Sequence, residues 1–224
     1  MSDNSNVSDS SSANGGSGCQ LYLITPPQID AAAFAAPLVE ALDSGPVACV
    51  QLRLKDVSDD DIRRAADILR PLTQERNVAF IMNDRPDLAQ ELGCDGVHVG
   101  LEDASYEDSR LILGPDAIVG VTCSDSKDRA MMAADKGASY VAFGAFYHSE
   151  TKPPKHRPTP EILEWWSALM ETPCVAIGGI TVENCEPIVA AGADFISVVS
   201  AVWDCPDGPG AAVVAFNEIF DTPR

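Results

Sequence analysis

Cations are scarce in this chain of 224 residues, with 15 Lys and Arg against 34 Asp and Glu and a formal net charge of -19. That balance argues against nucleic acid or anionic membrane as partners. A phosphorylated substrate would need a locally basic pocket or a divalent cation inside an otherwise repulsive field. No apolar run approaches the roughly 18 residues that span a bilayer. The seven cysteines are scattered, with no C-x-x-C pair, which speaks against structural zinc and for small core thiols in a reducing, cytoplasmic setting. Also missing are a G-x-G-x-x-G after the first predicted strand and any Ser-His-Asp or Cys-His arrangement. Residues 1–18 carry almost no bulky apolar groups, and they show neither the basic start nor the apolar stretch of a signal peptide. They read as a disordered Ser/Asn/Gly-rich tail ahead of one domain over 19–224.

What is present is a regular alternation, in a chain whose 46% hydrophobic content suffices for a large core. Short β-branched runs predict strands at 20–25, 47–53, 78–82, 95–99, 117–121, 139–143, 173–177 and 194–199. Between and after them the pattern predicts helices at 30–43, 59–75, 86–92, 105–113, 125–136, 159–170, 182–191 and 209–220. Ser58 and Ser124 stand as helix caps before acidic turns, and Gly137 and Gly192 as helix stops. Several strands are apolar on both sides, as parallel strands covered by helices are. Eight strand–helix units in about 200 residues predict an α/β fold, a (β/α)8 TIM barrel in a single domain. A doubly wound open sheet is the alternative.

The polar residues that stand out fall at predicted strand ends, which a barrel gathers on its catalytic face. In 50–56, alternation puts Gln51, Arg53 and Lys55 on one face, a grip suited to phosphate. An exposed edge strand with a solvated polar face is the competing reading. Asn83-Asp84 and Gly100 to Asp103 end the next two strands, and two carboxylates there can hold one Mg²⁺. Asp is also common at caps and turns. Gly178-Gly179 and Val199-Ser200 occupy the two strand ends where this architecture usually cradles phosphate. The long sixth loop, 143–154, carries hydroxyls and Lys152, and a loop of that length is usually functional.

The series Q-L-R-L-K (51–55), M-N-D (82–84), D-G-V-H-V-G-L-E-D (95–103), G-V-T (120–122), F-G-A-F-Y-H-S-E-T-K (143–152), V-A-I-G-G-I (175–180) and V-V-S-A (198–201) resembles thiamine phosphate synthases. The likeness runs in order from about residue 20 to 220. It implies a (β/α)8 transferase that joins a hydroxymethylpyrimidine pyrophosphate to a thiazole phosphate through a pyrimidine cation, releasing pyrophosphate. It also implies that Asp84 and Asp103 bind Mg²⁺, and that Arg53, Lys55, Asn83 and Lys152 contact the pyrophosphate, with Thr122 where the family usually has Ser. Gln51 and His98 would face the pyrimidine, and Ser149, Thr151, Gly179, Val199 and Ser200 would hold the thiazole phosphate. Partners would be small phosphorylated molecules, and a homo-oligomer is compatible with the sequence.

The chain departs from that pattern at Glu102 (commonly Gln), Ser124 (commonly His), Ala145 and His148 (commonly Pro) and Ser149 (commonly Thr). Glu102 adds negative charge beside the expected metal. Two alternatives remain: a thiazole tautomerase-like relative working through a histidine, and a barrel that binds a thiamine precursor without turnover. Absence of the histidine at Ser124 and the intact set around Asp84 favour the synthase.

Overall fold

The computed structural model describes residues 18–101, 103–148 and 157–222. Eight parallel strands close into a barrel in chain order: β1 (Gln20–Ile24), β2 (Cys49–Leu52), β3 (Ala79–Asn83), β4 (Gly96–Val99), β5 (Ile118–Ser124), β6 (Tyr140–Gly144), β7 (Cys174–Ile177) and β8 (Phe195–Val198). The helices are α1 (Ala31–Ser44), α2 (Asp59–Gln74), α3 (Pro86–Glu91), α4 (Tyr106–Leu113), α5 (Lys127–Asp135), α6 (Glu161–Leu169), α7 (Glu186–Ala190), α8 (Ser200–Trp203) and α9 (Pro209–Phe220). The predicted barrel is the observed one, and the open sheet is ruled out by the pairing of β8 with β1.

Alternation along each strand sorts the side chains into two cores. Val50 and Leu52 join the large cluster between sheet and helices, with Phe80, Met82, Val97, Val99 and Phe143. Facing the barrel axis is a smaller group that includes Tyr22, Cys49, Ile81, Tyr140 and Val175. No disulfide joins any of the seven cysteines, all of which lie among the described residues, and five of them are buried.

Several local expectations need correction. Ser58 does cap α2, in a reciprocal pair with Asp61. Ser124, however, lies inside β5 with a positive φ of 57°, and Ser126 caps α5 instead. The cause is a register irregularity between Thr122 and Ser124 that prolongs β5 past its expected end at 121. α7 is five residues long, about half its predicted length, and β8 stops at Val198 because the chain turns into the short α8. Strand β2 ends at Leu52, so Arg53 and Lys55 lie on the loop beyond it and not on a strand face. The expected tail, residues 1–18, lies outside the described residues except for Gly18.

The lower rim repeats one device. Asp95, Ser139 and Asp194 each precede an even-numbered strand, each two residues after a glycine of positive φ. Their side-chain oxygens accept the N–H of Phe80 (2.7 Å), Val119 (3.0 Å) and Cys174 (2.7 Å), each at the start of the strand before. These buried N–H groups would otherwise lack partners, so each side chain clamps two neighbouring strands together.

Candidate active site

The upper ends of β1 to β5 carry the ionic half of the site. Thr25 stitches the first two loops: its N–H donates to Gln51 O (3.0 Å) and its Oγ1 accepts from Arg53 N (2.9 Å). Lys55 N donates to Pro27 O at 2.9 Å, so the segment that leaves β2 is held by its own backbone. The Lys55 ammonium then reaches Asp84 Oδ2 at 2.6 Å. Asp84 adopts φ 63°, a left-handed conformation that short polar residues tolerate, and its N–H donates to His98 O at 2.8 Å. Held this way, its carboxyl meets that of Asp103 across the ends of β3 and β4.

The electrostatics of this pair are asymmetric. Burial raises the Asp84 carboxyl, but Lys55, Asp103 and Asn83 outweigh it and leave Asp84 below its ordinary value. For Asp103, burial and the neighbouring Asp84 charge both push the carboxyl up, against the opposing bond from Gly100 N. Two carboxyls in contact with one held up by the other form a donor set that a divalent cation fits, since it would relieve their repulsion. Asp103 also accepts from Gly100 N at 3.0 Å, so the turn role noted for it is real as well. Neither Asp is a helix cap, because Arg85 and Ser105 stand at those positions.

Below this rim, inside the barrel, runs a continuous polar chain. Gln51 Nε2 donates to Tyr22 Oη (3.0 Å), Tyr22 meets Tyr140 (2.8 Å), Tyr140 meets His98 Nδ1 (3.0 Å), and His98 Nε2 meets Thr122 Oγ1 (2.8 Å). Burial, with Arg53 adding to it and Asp84 opposing, pushes the imidazole down to about 4, so His98 is neutral at pH 7. Burial raises both tyrosines, which therefore stay protonated. One ordering gives both tyrosine hydrogens an acceptor: Gln51 to Tyr22 to Tyr140 to Nδ1, then Nε2–H to Thr122. The Thr122 hydrogen is then left for the barrel mouth. Tyr140 stacks on His98 at 5.7 Å and 15°, and Gly120 makes room for its ring, since a Cβ there would fall 1.9 Å from Tyr140 Cζ.

Across the mouth lies a cavity of about 520 Å³. Arg53, Gly178, Gly179, Val199, Ser200 and Ser197 line it, which brings the expected phosphate cradle to one wall. Gly178 and Gly179 have φ of 103° and 65°, and a Cβ on either would strike Ala145 or His148 O. The start of the sixth loop packs there, with Phe146 N donating to Ile177 O (3.1 Å) and Tyr147 N to Gly178 O (2.9 Å).

The structure thus gathers Gln51, Arg53, Lys55, Asn83, Asp84, His98, Asp103 and Thr122 on one side and Gly179, Val199 and Ser200 on the other. Ser149, Thr151 and Lys152, expected at the site, lie outside the described residues, as does Glu102. Sequence reading passed over Tyr22, Tyr140 and Ser197. The available signal was parity: each is two residues, or a multiple of two, from another inward position on its strand.

A family model described as thiamine monophosphate synthase matches residues 21–202. This chain belongs to that family. Within the thiamine monophosphate synthase family, it is 61% identical to the thiamine-phosphate synthase of Rhodospirillum centenum over 202 residues, covering 90% of this chain and 98% of the relative. The thiamine-phosphate synthase of Hyphomonas neptunium is 49% identical over 208 residues, covering 91% and 94%. Among solved structures, a thiamine phosphate pyrophosphorylase from Pyrococcus furiosus superposes with a TM-score of 0.79 at 29% identity, covering 92% of this chain and 96% of that one.

Proposed function

We propose that this protein is a thiamine-phosphate synthase, joining a hydroxymethylpyrimidine diphosphate to a thiazole phosphate and releasing pyrophosphate. The observation that carries the reading is the convergence of Arg53, Lys55, Asp84 and Asp103 at one barrel mouth, facing the Gly178–Gly179 and Ser200 wall. A member of the thiamine monophosphate synthase family with that arrangement has one grip for each of two phosphorylated substrates.

The chain's residues suit a reaction that needs no protein nucleophile. Arg53 and Lys55 supply positive charge where a departing diphosphate accumulates negative charge. Asp84 and Asp103 would hold a Mg²⁺ ion, which supplies further charge stabilisation to phosphate oxygens. Gln51, His98 and Thr122, locked by the chain of bonds through both tyrosines, would orient the pyrimidine. Glycines 178 and 179 expose backbone to the second phosphate and so set the thiazole nitrogen toward the carbon that loses the diphosphate. Seven cysteines outside any disulfide support a reducing, cytoplasmic site of action.

The test is direct. Purified protein with both phosphorylated substrates and Mg²⁺ should form thiamine phosphate and pyrophosphate in equal amounts, and EDTA should stop both. Asp84→Ala and Lys55→Ala should each lower turnover on the order of 10²–10³, the usual effect of losing one preorganised charge contact. Thiazole phosphate binding without pyrophosphate release would identify a non-catalytic barrel instead.

A further inference from the structure

Ser197 lies on β8 between Phe195 and Val199, both of which pack in the cluster facing the barrel axis, so by alternation it faces inward too. It is 2% exposed, and its Oγ has no hydrogen-bond partner among the described residues. It also lines the 520 Å³ cavity. A buried hydroxyl without a partner is destabilising and therefore uncommon, and it persists where a bound molecule completes it. Tyr22 is in register with Ser197 but is not that partner: its hydroxyl is engaged by Gln51 and Tyr140.

We propose that the Ser197 hydroxyl hydrogen-bonds the polar edge of the pyrimidine ring and is a specificity-determining residue for that substrate. The inference rests on the synthase reading above and adds a contact to it. Height in the barrel favours a ring over a phosphate, since Ser197 lies within β8, below the strand's end at Val198 and below Ser200, which opens α8 at the rim. Chemistry chooses between the rings. The thiazole nitrogen must keep its lone pair free to attack, so a hydroxyl donating to it would oppose the reaction. An aminopyrimidine carries two ring nitrogens and an amine, none of which is the nucleophile. Gln51 and His98 already reach the lumen from the other side of Tyr22, which leaves Ser197 to meet the ring from the β8 wall.

Steady-state kinetics of Ser197→Ala, with each substrate varied at saturating levels of the other, test the assignment. KM for the pyrimidine diphosphate should rise about tenfold, as expected for one lost hydrogen bond. KM for the thiazole phosphate and the inhibition constant of pyrophosphate should stay within twofold. The melting temperature of the free protein should hold or rise, because an unsatisfied buried hydroxyl is gone; a purely structural role would move it down. Ser197→Thr, which keeps the hydroxyl, should retain a pyrimidine KM within about threefold of the parent. An unchanged pyrimidine KM in Ser197→Ala, or a rise confined to the thiazole phosphate, overturns the inference. Parent protein that forms no thiamine phosphate fails earlier, at the synthase reading itself.

Discussion

Replacing Tyr140 by Phe removes one oxygen from the middle of the polar chain while keeping the ring that stacks on His98. His98 Nδ1, at 3.0 Å, then loses its partner, and the Tyr22 hydroxyl, at 2.8 Å, loses one of two, keeping the bond it accepts from Gln51. A buried polar group left unsatisfied costs about 1–3 kcal/mol; His98 Nδ1 bears that in full and Tyr22, still bonded to Gln51, about 1 kcal/mol, so the loss is roughly 2–4 kcal/mol. For a chain of this size that is a fall in melting temperature of roughly 5–15 °C. Because Nδ1 no longer accepts, the imidazole is free to take its other tautomer, and Thr122 is no longer held as an acceptor. Turnover should drop at temperatures where the fold is intact. Thermal and urea unfolding followed by circular dichroism give the stability term, and product formation at 20 °C gives the activity term. Adding Tyr22→Phe should cost less than the sum of the two single changes, since both act on one bonded chain. A Tyr140→Phe midpoint within 2 °C of the parent, or strict additivity in the double variant, would refute the claim that these hydroxyls form one network.

Three further outcomes are expected. Gly120→Ala should reduce both stability and turnover, because the added methyl must displace the Tyr140 ring from 1.9 Å away; unchanged kinetics would sink that packing account. Stability should decline as pH falls from about 6.5 to about 4, because the unfolded chain takes up a proton on His98 that the folded chain refuses. The slope is up to about 1.4 kcal/mol per pH unit, and His98→Asn should remove that share of it in urea titrations run across the same range. Asp95→Ala strands the N–H of Phe80 at the lower rim and should cost about 1–3 kcal/mol while kcat of the surviving folded enzyme stays near the parent's; a large kcat loss at full stability would contradict the assignment.

The alternation of strands and helices was readable because each element carries its own period, so the closed barrel and most strand ends followed directly. The ionic residues were equally visible, since charge beside an apolar run stands out at Arg53, Lys55, Asp84 and Asp103. Tyr22 and Tyr140 were not. An aromatic in an apolar strand reads as core, and only barrel closure brings together two hydroxyls 118 positions apart. Ser197 was hidden for the same reason, its significance being the lack of a partner rather than anything in the residues beside it. Ser124 and Ser126 show a different limit: two serines of equal capping ability stand two apart, and the strand irregularity decides between them. The four-residue α8 is too short for a helical period to show.

The three clamps on the lower rim have a bearing on how such a protein can change. They secure the sheet at the end remote from the cavity, through side chains that do not line it. Mutational damage to folding and mutational exploration of chemistry therefore fall on opposite poles of the same eight strands. A lineage could rework the upper loops extensively for new ligands without loosening the seams that keep the cylinder shut.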